Sequence, residues 1–470
     1  MSTSTIIGIV IAIAAIVGLS VFTGMRGGQK GGKISWGVAA GLIIGTLVGG
    51  SSTVGTAQLA YNYGMSAWWF TLGGGIACLL LGLVYVRPLR NSGSPTLVGM
   101  VTNEYGHSAG FAATILNSVG TFINILSQLL SASAVVLVVW PNMGTAWTII
   151  IAAVVMVLYV VFGGTKGAGV VGILKMGLLY VSMLTCGILA LNHLGGLSGL
   201  TSTVRSLSDE LGRNLSSLFC QGIGTDLGSC VSLILGVLTT QTYAQAVINA
   251  KSEAHARAGA LVSALLIPPI GTFGIVVGLY MRTVTDPAVF SAKTALTSFI
   301  LEYSGMPGLL AGIVLGTLFI AAVGTGAGLA LGIATVINRE IIQTSGKEHK
   351  LSADLTSKLL IVVVLAVATA LSCTPIGDTI LKFAFMSMGL RGCTVFAPLC
   401  FLIWAKGKVD GKFAFVSIVG GSLVALVLGT LNLFNVVKLP CDAVFPGVAV
   451  GLIVMIAGLI VGKKEPQLGK

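Results

Sequence analysis

The chain repeats one pattern from end to end: a run of roughly 20 apolar positions, the length a helix needs to cross hydrocarbon, then a short interval of Gly, Ser, Lys or Arg. The runs are continuously apolar rather than alternating, which excludes a membrane β-barrel. They predict an all-α membrane protein of about 13 spans, at 5–25, 36–58, 66–86, 109–139, 146–163, 170–192, 226–247, 259–281, 308–335, 358–372, 379–404, 412–432 and 445–462. Two intervals are long. Over 196–218, Leu197, Leu200, Val204, Leu207, Leu211, Leu215 and Leu218 recur every three or four residues, the spacing of an amphipathic helix that lies on the membrane surface or caps a vestibule. The stretch 286–307 carries a weaker pattern of a short second hairpin.

Two spans concentrate small residues with hydroxyls: Gly49-Gly50-Ser51-Ser52-Thr53-Val54-Gly55-Thr56 in the second and Gly236-Val237-Leu238-Thr239-Thr240-Gln241-Thr242 in the seventh. Both read as helix breaks. They lie five spans apart, as expected if two five-helix units repeat with inverted topology and enclose a binding site near the midplane. The chain then divides into a first span and loop (1–35), a first repeat (36–192), an amphipathic segment (193–225), a second repeat (226–404) and two further spans with a tail (405–470).

Composition agrees: 55% of the 470 residues are hydrophobic and 9% charged, with mean hydropathy +1.00, which leaves no room for a soluble domain. A net charge of +12 raises nucleic acid as a partner, but the basic residues form no patch or stripe. They read instead as topology signals. With the N-terminus outside, the cytoplasmic intervals hold Arg26, Lys30, Lys33, Arg87, Arg90, Lys166, Lys251, Arg257, Arg339, Lys347, Lys350, Lys358, Lys406, Lys408, Lys412, Lys463, Lys464 and Lys470. The outer intervals hold only Arg205, Arg213, Arg282, Lys293 and Lys438. The first apolar run has its basic residues after it, the reverse of a signal peptide, and reads as a retained span. An inner membrane with a cytoplasmic C-terminus follows. The eight cysteines include no CxxC pair; those inside apolar runs, as Cys78, Cys186, Cys393 and Cys400 are, read as small buried hydrophobes, while Cys220, Cys230, Cys373 and Cys441 lie near predicted outer ends, where pairing stays open.

Polar residues inside the runs are the candidates for function. The fourth span places Thr114, Asn117, Thr121, Asn124, Gln128 and Ser131 on one helical face, either for hydrogen bonds between helices or as a stripe lining a solute pathway. Arg391 sits mid-span, where insertion costs at least about 2.5 kcal/mol. Freed carbonyls, a water-filled cavity or an anionic substrate group are its possible compensations. The four histidines lie outside or at the ends of spans and no nucleotide-binding loop occurs, so neither an enzyme nor an ATP-driven pump is expected and no enzyme cofactor is implied.

In order and spacing, several motifs resemble the sodium:solute symporter family, whose members share a LeuT-type inverted-repeat core. Tyr61-Asn62-Tyr63-Gly64-Met65-Ser66-Ala67-Trp68-Trp69-Phe70-Thr71-Leu72-Gly73 is similar to the family's entry into the third span. It is followed by Arg87-Pro88-Leu89-Arg90, by Gly163-Gly164-Thr165-Lys166 before the sixth span and by Ala250-Lys251-Ser252-Glu253 after the seventh. The resemblance implies a Na⁺ site made from carbonyls near Gly45 and Val48 and a hydroxyl pair that falls on Gly324 and Thr325. Half of that pair is missing. In the sixth span, where the family commonly has Asp and, three residues later, Gln, this chain has Gly172 and Lys175.

The resulting expectation is a secondary active transporter that imports a small polar, carboxylate-bearing solute by alternating access. Ser52, Thr53, Asn117, Thr121, Asn124, Thr240, Gln241 and Arg391 are its expected solute contacts, and Gly45, Val48, Lys175 and Thr325 its ion-coupling residues. The coupling ion is Na⁺ at a degraded site, or H⁺ carried by Lys175. A sugar fits less well, since spans 3 and 8 lack the charged and amide residues with which family members grip hydroxyls. A channel or a non-transporting sensor on the same fold are the alternatives. Oligomeric state is not legible.

Overall fold

The computed structural model describes residues 2–25, 33–163, 168–338, 353–374, 380–434 and 436–462. Arg26, Lys30, Gly164, Thr165, Lys166, Arg339, Lys347, Lys350, Lys463, Lys464 and Lys470, cited above, lie outside the described residues. The structure is all-helical: α1 (Thr3–Met25), α2 (Trp36–Leu47), α3 (Thr56–Tyr63), α4 (Trp69–Leu80), α5 (Val86–Asn91), α6 (Leu97–Tyr105), α7 (His107–Val139), α8 (Thr145–Gly163), α9 (Ala168–His193), α10 (Gly196–Leu211), α11 (Ile223–Thr239), α12 (Gln241–Ile248), α13 (Glu253–Val284), α14 (Ala295–Ser298), α15 (Gly308–Ile337), α16 (Ala353–Ser372), α17 (Ile380–Trp404), α18 (Gly411–Leu433) and α19 (Val444–Val461). Nine helical stretches among the described residues are long and apolar enough to cross a membrane, ten when α11 and α12 count as one bent span. The predicted thirteen is not reached by that measure. The apolar parts of α1, α2 and α8 run shorter, and Ser51–Asn91 passes as one stretch although the chain turns within it at Gly64.

Both expected breaks are present. α2 ends at Leu47, Val48 is extended (φ −89°, ψ 102°), and a π-helical turn at Ser51–Gly55 leads into α3. Between α11 and α12 a single extended residue, Thr240 (φ −91°, ψ 128°), bends the axis by 49°. Around them α17 packs on α7 and α11, α15 on α1 and α7, α13 on α3 and α4, and α2 on α9. In the last pair backbone meets backbone: a Cβ on Gly172 would lie 2.3 Å from the Gly41 carbonyl oxygen, and one on Gly45 would lie 2.9 Å from Gly172 Cα. Only small residues permit such an approach.

The motif after α3 works as a cluster of pins. Gly64 takes φ +54°, and a Cβ there would meet the Leu215 carbonyl oxygen at 2.3 Å, so only glycine reverses the chain at this point. Trp68 Nε1 donates to the Pro268 carbonyl at 3.0 Å, Trp69 Nε1 to the Leu218 carbonyl at 2.7 Å, and Ser66 donates to the buried Asp226 at the start of α11. Tyr61 and Thr285 share a hydroxyl hydrogen bond of 2.9 Å. These side chains bind the α3–α4 turn to α11, α13 and the loop after α10.

α10 is amphipathic but ends earlier than the leucine spacing suggests. Gly212 adopts φ +61°, its N–H reaches the Asp209 carbonyl, and Arg213 N–H reaches that of Ser208, the paired bonds of a Schellman stop. Leu215 and Leu218 therefore sit in the following turns, where Leu215 is fully buried. α10 roofs a cavity of about 1460 Å³ against α13, among whose lining residues are Arg205, Asp209, Arg213 and Ile275. None of the expected solute residues lines it. The segment 286–307 is folded into short helical turns around α14 rather than a plain hairpin. All eight cysteines are free thiols.

Gly172→Ala should destabilise the α2–α9 crossing by about 1–3 kcal/mol, the usual cost of overpacking. Gly177→Ala, whose Cβ meets nothing within 4 Å, should leave stability unchanged. Thermal denaturation of the detergent-solubilised variants compares the two.

Candidate functional site

When α2 stops, its last carbonyls lose their intrahelical donors and its C-terminal end carries the negative pole of the helix dipole. The N–H that would close the turn on Gly45, that of Gly49, donates instead to Ser52 Oγ at 2.9 Å. The freed Gly45 carbonyl is taken by Lys175. One turn beyond Gly172 on α9, and 5% exposed, Lys175 donates from Nζ to Gly45 O at 2.8 Å and to Thr325 Oγ1 of α15 at 2.6 Å. Three residues expected to act together in ion coupling are thus in direct contact. Val48 caps α2 beside them, and its carbonyl receives no bond from Lys175.

The rest of the first break is closed by α7. Gln128 accepts from Gly50 N–H at 3.0 Å and donates to Ser51 Oγ at 2.8 Å, while Ser51 and Ser127 hydroxyls pair at 2.8 Å. Ser52 and Thr53 both donate to the Gly49 carbonyl, at 3.0 and 2.9 Å. The polar stripe of the fourth span therefore faces protein, with Thr114, Asn124, Gln128 and Ser131 buried. Gln128 is the residue whose importance sequence reasoning missed. Its membership in the stripe was visible, but nothing in the sequence pairs it with Gly50, 78 positions away.

At the second break Arg391 fills the corresponding place. It is 1% exposed, and Nη1 donates to Thr240 Oγ1 at 2.8 Å. Nε reaches the Ser387 carbonyl at 3.2 Å, and Nη2 reaches Ser387 Oγ and Met388 Sδ, each at 3.0 Å. Ser387 Oγ donates in turn to the Gly120 carbonyl of α7 at 2.6 Å. No carboxylate among the described residues lies within ion-pair distance of Arg391. Thr240 Oγ1 donates in turn to the Gly236 carbonyl at 2.5 Å, which links the guanidinium to the negative end of α11. A cation buried at such an end gains up to about 2 kcal/mol, comparable with the insertion cost of the arginine.

Of the remaining expected solute residues, Asn124 Oδ1 receives a long 3.4 Å bond from Gln128 and Thr121 donates to the Asn117 carbonyl at 2.9 Å. Asn117 Oδ1 is buried with no partner, as is Thr242 Oγ1, two residues past the second break. Gln241 faces elsewhere. Its side chain accepts from Leu97 N–H at 2.8 Å and donates to the Pro95 carbonyl at 3.3 Å, so it ties α12 to the linker before α6. On the same predicted cytoplasmic face Arg90 Nη1 donates to the carbonyls of Val247 at 3.1 Å and Ala250 at 2.8 Å, and Ile34 N–H to that of Asn249 at 2.8 Å. That face is cross-tied. Among the described residues no three His, Cys, Asp or Glu side chains gather as a metal site.

Comparison with known proteins agrees with this geometry. The family model for the Sodium:solute symporter family matches residues 29–421. The human high affinity choline transporter 1 is 22% identical over 377 residues, which is 77% of this chain and 64% of that protein, so the chain spans less than two thirds of that relative's length. An uncharacterized symporter of Bacillus subtilis is 29% identical over 147 residues, 31% of this chain and 28% of its own. Among solved structures, a Na⁺-coupled sialic acid symporter in a substrate-bound, outward-open state superposes with TM-score 0.76 at 18% identity over 99% of both chains. A manganese transporter from Eremococcus coleocola does so with TM-score 0.55 at 13% identity, over 91% of this chain and 93% of that one. These likenesses show a shared LeuT-like fold. Since the family match covers residues 29–421, a range that holds both helix breaks and the cations that close them, the chain belongs to the sodium:solute symporter family.

Proposed function

We propose that this symporter couples uptake of its solute to H⁺, with the Lys175 ammonium standing where the family resemblance places Na⁺. The observation that carries the reading is the position of Lys175 Nζ, 2.8 Å from Gly45 O and 2.6 Å from Thr325 Oγ1. Two of the expected Na⁺ ligands already accept from a cation, and Gly324 supplies no hydroxyl. A sodium ion in that place would lie against a like charge with too few hard oxygens, so the residues present do not fit it. An ammonium makes the same tie between α2 and α15 that a bound cation would, and lysine, unlike arginine, is able to release its proton. Loss of that proton removes the charge that holds α2 to α15, and regaining it restores the tie. The proton thereby biases two arrangements of the helices, as ion binding and release do in alternating access.

The solute is proposed to be small, polar and carboxylate-bearing. Two buried cations, Lys175 and Arg391, flank the breaks, and neither has a carboxylate among its partners. Their field favours an anion and opposes a cation. Asn117 and Thr242, whose buried oxygens have no protein partner, are its proposed hydrogen-bonding contacts. Ser52, Thr53, Thr121, Asn124 and Thr240, on the helices that carry the two breaks and on α7, are proposed to complete the site. The charge bias of the intervals supports insertion with the N-terminus outside and the C-terminus in the cytoplasm.

In proteoliposomes, with the solute found by a thermal-shift screen of small carboxylates, uptake should follow an imposed pH gradient and proceed at the same rate when Na⁺ is replaced by K⁺. Lys175→Ala should abolish the dependence on the gradient. A strict Na⁺ requirement in the unaltered protein overturns the reading.

Thr325→Val keeps the shape of the side chain but removes one acceptor of Lys175, a loss of about 1–3 kcal/mol for a hydrogen bond to a charged group. Initial uptake rates should fall roughly tenfold, while Thr325→Ser retains them.

A further inference from the structure

The two buried cations are not independent features. α9, which bears Lys175, closes the series of membrane helices that opens with the broken pair α2 and α3 and continues through α4, α7 and α8. α17, which bears Arg391, closes the series that opens with the broken pair α11 and α12 and continues through α13, α15 and α16. Each cation serves the C-terminal end of the first half-helix of its own series. Lys175 bonds the Gly45 carbonyl of α2, and Arg391 bonds Thr240, whose hydroxyl holds the Gly236 carbonyl of α11. Each also reaches across to the long helix of the other series. Lys175 bonds Thr325 of α15 directly, and Arg391 bonds Ser387, which holds the Gly120 carbonyl of α7.

The packing beneath the cations has the same correspondence. α9 crosses α2 on glycine, with Gly172 against Gly41. α17 crosses α11 the same way: a Cβ on Gly236 would meet Met388 Cβ at 2.5 Å, and one on Gly392 would meet Leu235 Cβ at 2.6 Å. At Gly120 a Cβ would lie 2.7 Å from Arg391 Cγ, so α7 runs directly over the arginine stem. The guanidinium fork is turned onto Thr240, Ser387 and Met388, and four of its N–H groups are already engaged. A carboxylate would have to displace these bonds to be held by the same fork.

We propose that Arg391 is a positioning residue, the inverted-repeat counterpart of Lys175: a resident cation that locks the second helix break to α17 and α7 and does not touch the solute. This rests on the reading of Lys175 as the cation of the first break. The two differ in one respect that matters for transport. The lysine is able to lose its charge and the guanidinium is not, so the α11–α12 break stays tied throughout the cycle while the tie at α2 is made and released. One break is the hinge that is held and the other the hinge that is switched.

Hydrogen–deuterium exchange on the full-length protein tests this without reference to transport. Arg391→Gln should speed exchange in the peptide covering 240–248 by about tenfold through easier local opening, and leave that covering 48–56 as in the unaltered protein. Lys175→Ala should do the reverse, and Arg391→Lys should restore protection of 240–248. In uptake assays Arg391→Gln should lower the maximal rate about tenfold, while Arg391→Lys, which keeps the charge but not the fork, should leave solute affinity changed less than about twofold. Unchanged exchange over 240–248, or an affinity loss with the rate preserved, would overturn the proposal and make Arg391 a solute anchor. A requirement for Na⁺ would overturn only the reading of Lys175, since the exchange result at the second break does not depend on it.

Discussion

Inside hydrocarbon a helix is interrupted only where something replaces the hydrogen bonds the interruption forfeits. That constraint organises this protein. Val48 and Thr240 each leave the helical path, and each departure exposes carbonyls on one half-helix and N–H groups on the next. The replacements come from different helices: Gln128 of α7, Lys175 of α9 and, through Thr240, Arg391 of α17. Because the partners are distant in sequence, satisfying the breaks also fixes how the helices stand against one another. Fold and site are the same set of bonds.

Choosing a side-chain cation rather than a free ion to neutralise a half-helix end has an energetic side. A tethered ammonium needs no concentration to occupy its place, and it repels any second cation that would join it. Among the described residues no carboxylate lies within ion-pair distance of Lys175 or Arg391, and under the proposed function an anionic cargo would lower the electrostatic cost of that pair. A cationic cargo would raise it.

Much of the architecture was legible because its signals are local. Apolar run length predicts helices, and clusters of glycine and hydroxyl residues mark where two of them break, as found at Val48 to Gly50 and at Thr240. Resemblance to the family brought Gly45, Lys175 and Thr325 into one site, and the structure places them in contact. Arg391 announced itself by the cost of its burial, and Ser387 and Met388, four and three residues before it, were within reach of helical periodicity. Its bond to Thr240 was not, since that depends on α17 lying along α11. Gln241 shows the same limit from the other side: a polar residue at a break suggests a solute contact, but the neighbouring linker at Pro95 to Leu97 captures it. The end of α10 was readable in principle, because Gly212 interrupts the leucine series before Leu215.

The contact of Gly172 with Gly41 sets how motion is distributed. Two helices that touch backbone to backbone have no side chains between them to reshuffle, and neither is able to slide past the other without lifting away. They can still pivot about the point of contact. Lys175 lies one turn from that fulcrum and moves through a short arc, so a change in a single tie of under 3 Å is enough to act on it. From that fulcrum α9 runs on to His193, about 30 Å away at 1.5 Å per residue, and it is this far end that sweeps the long arc. A small event near the fulcrum is thereby geared to a large displacement at the opposite end of α9.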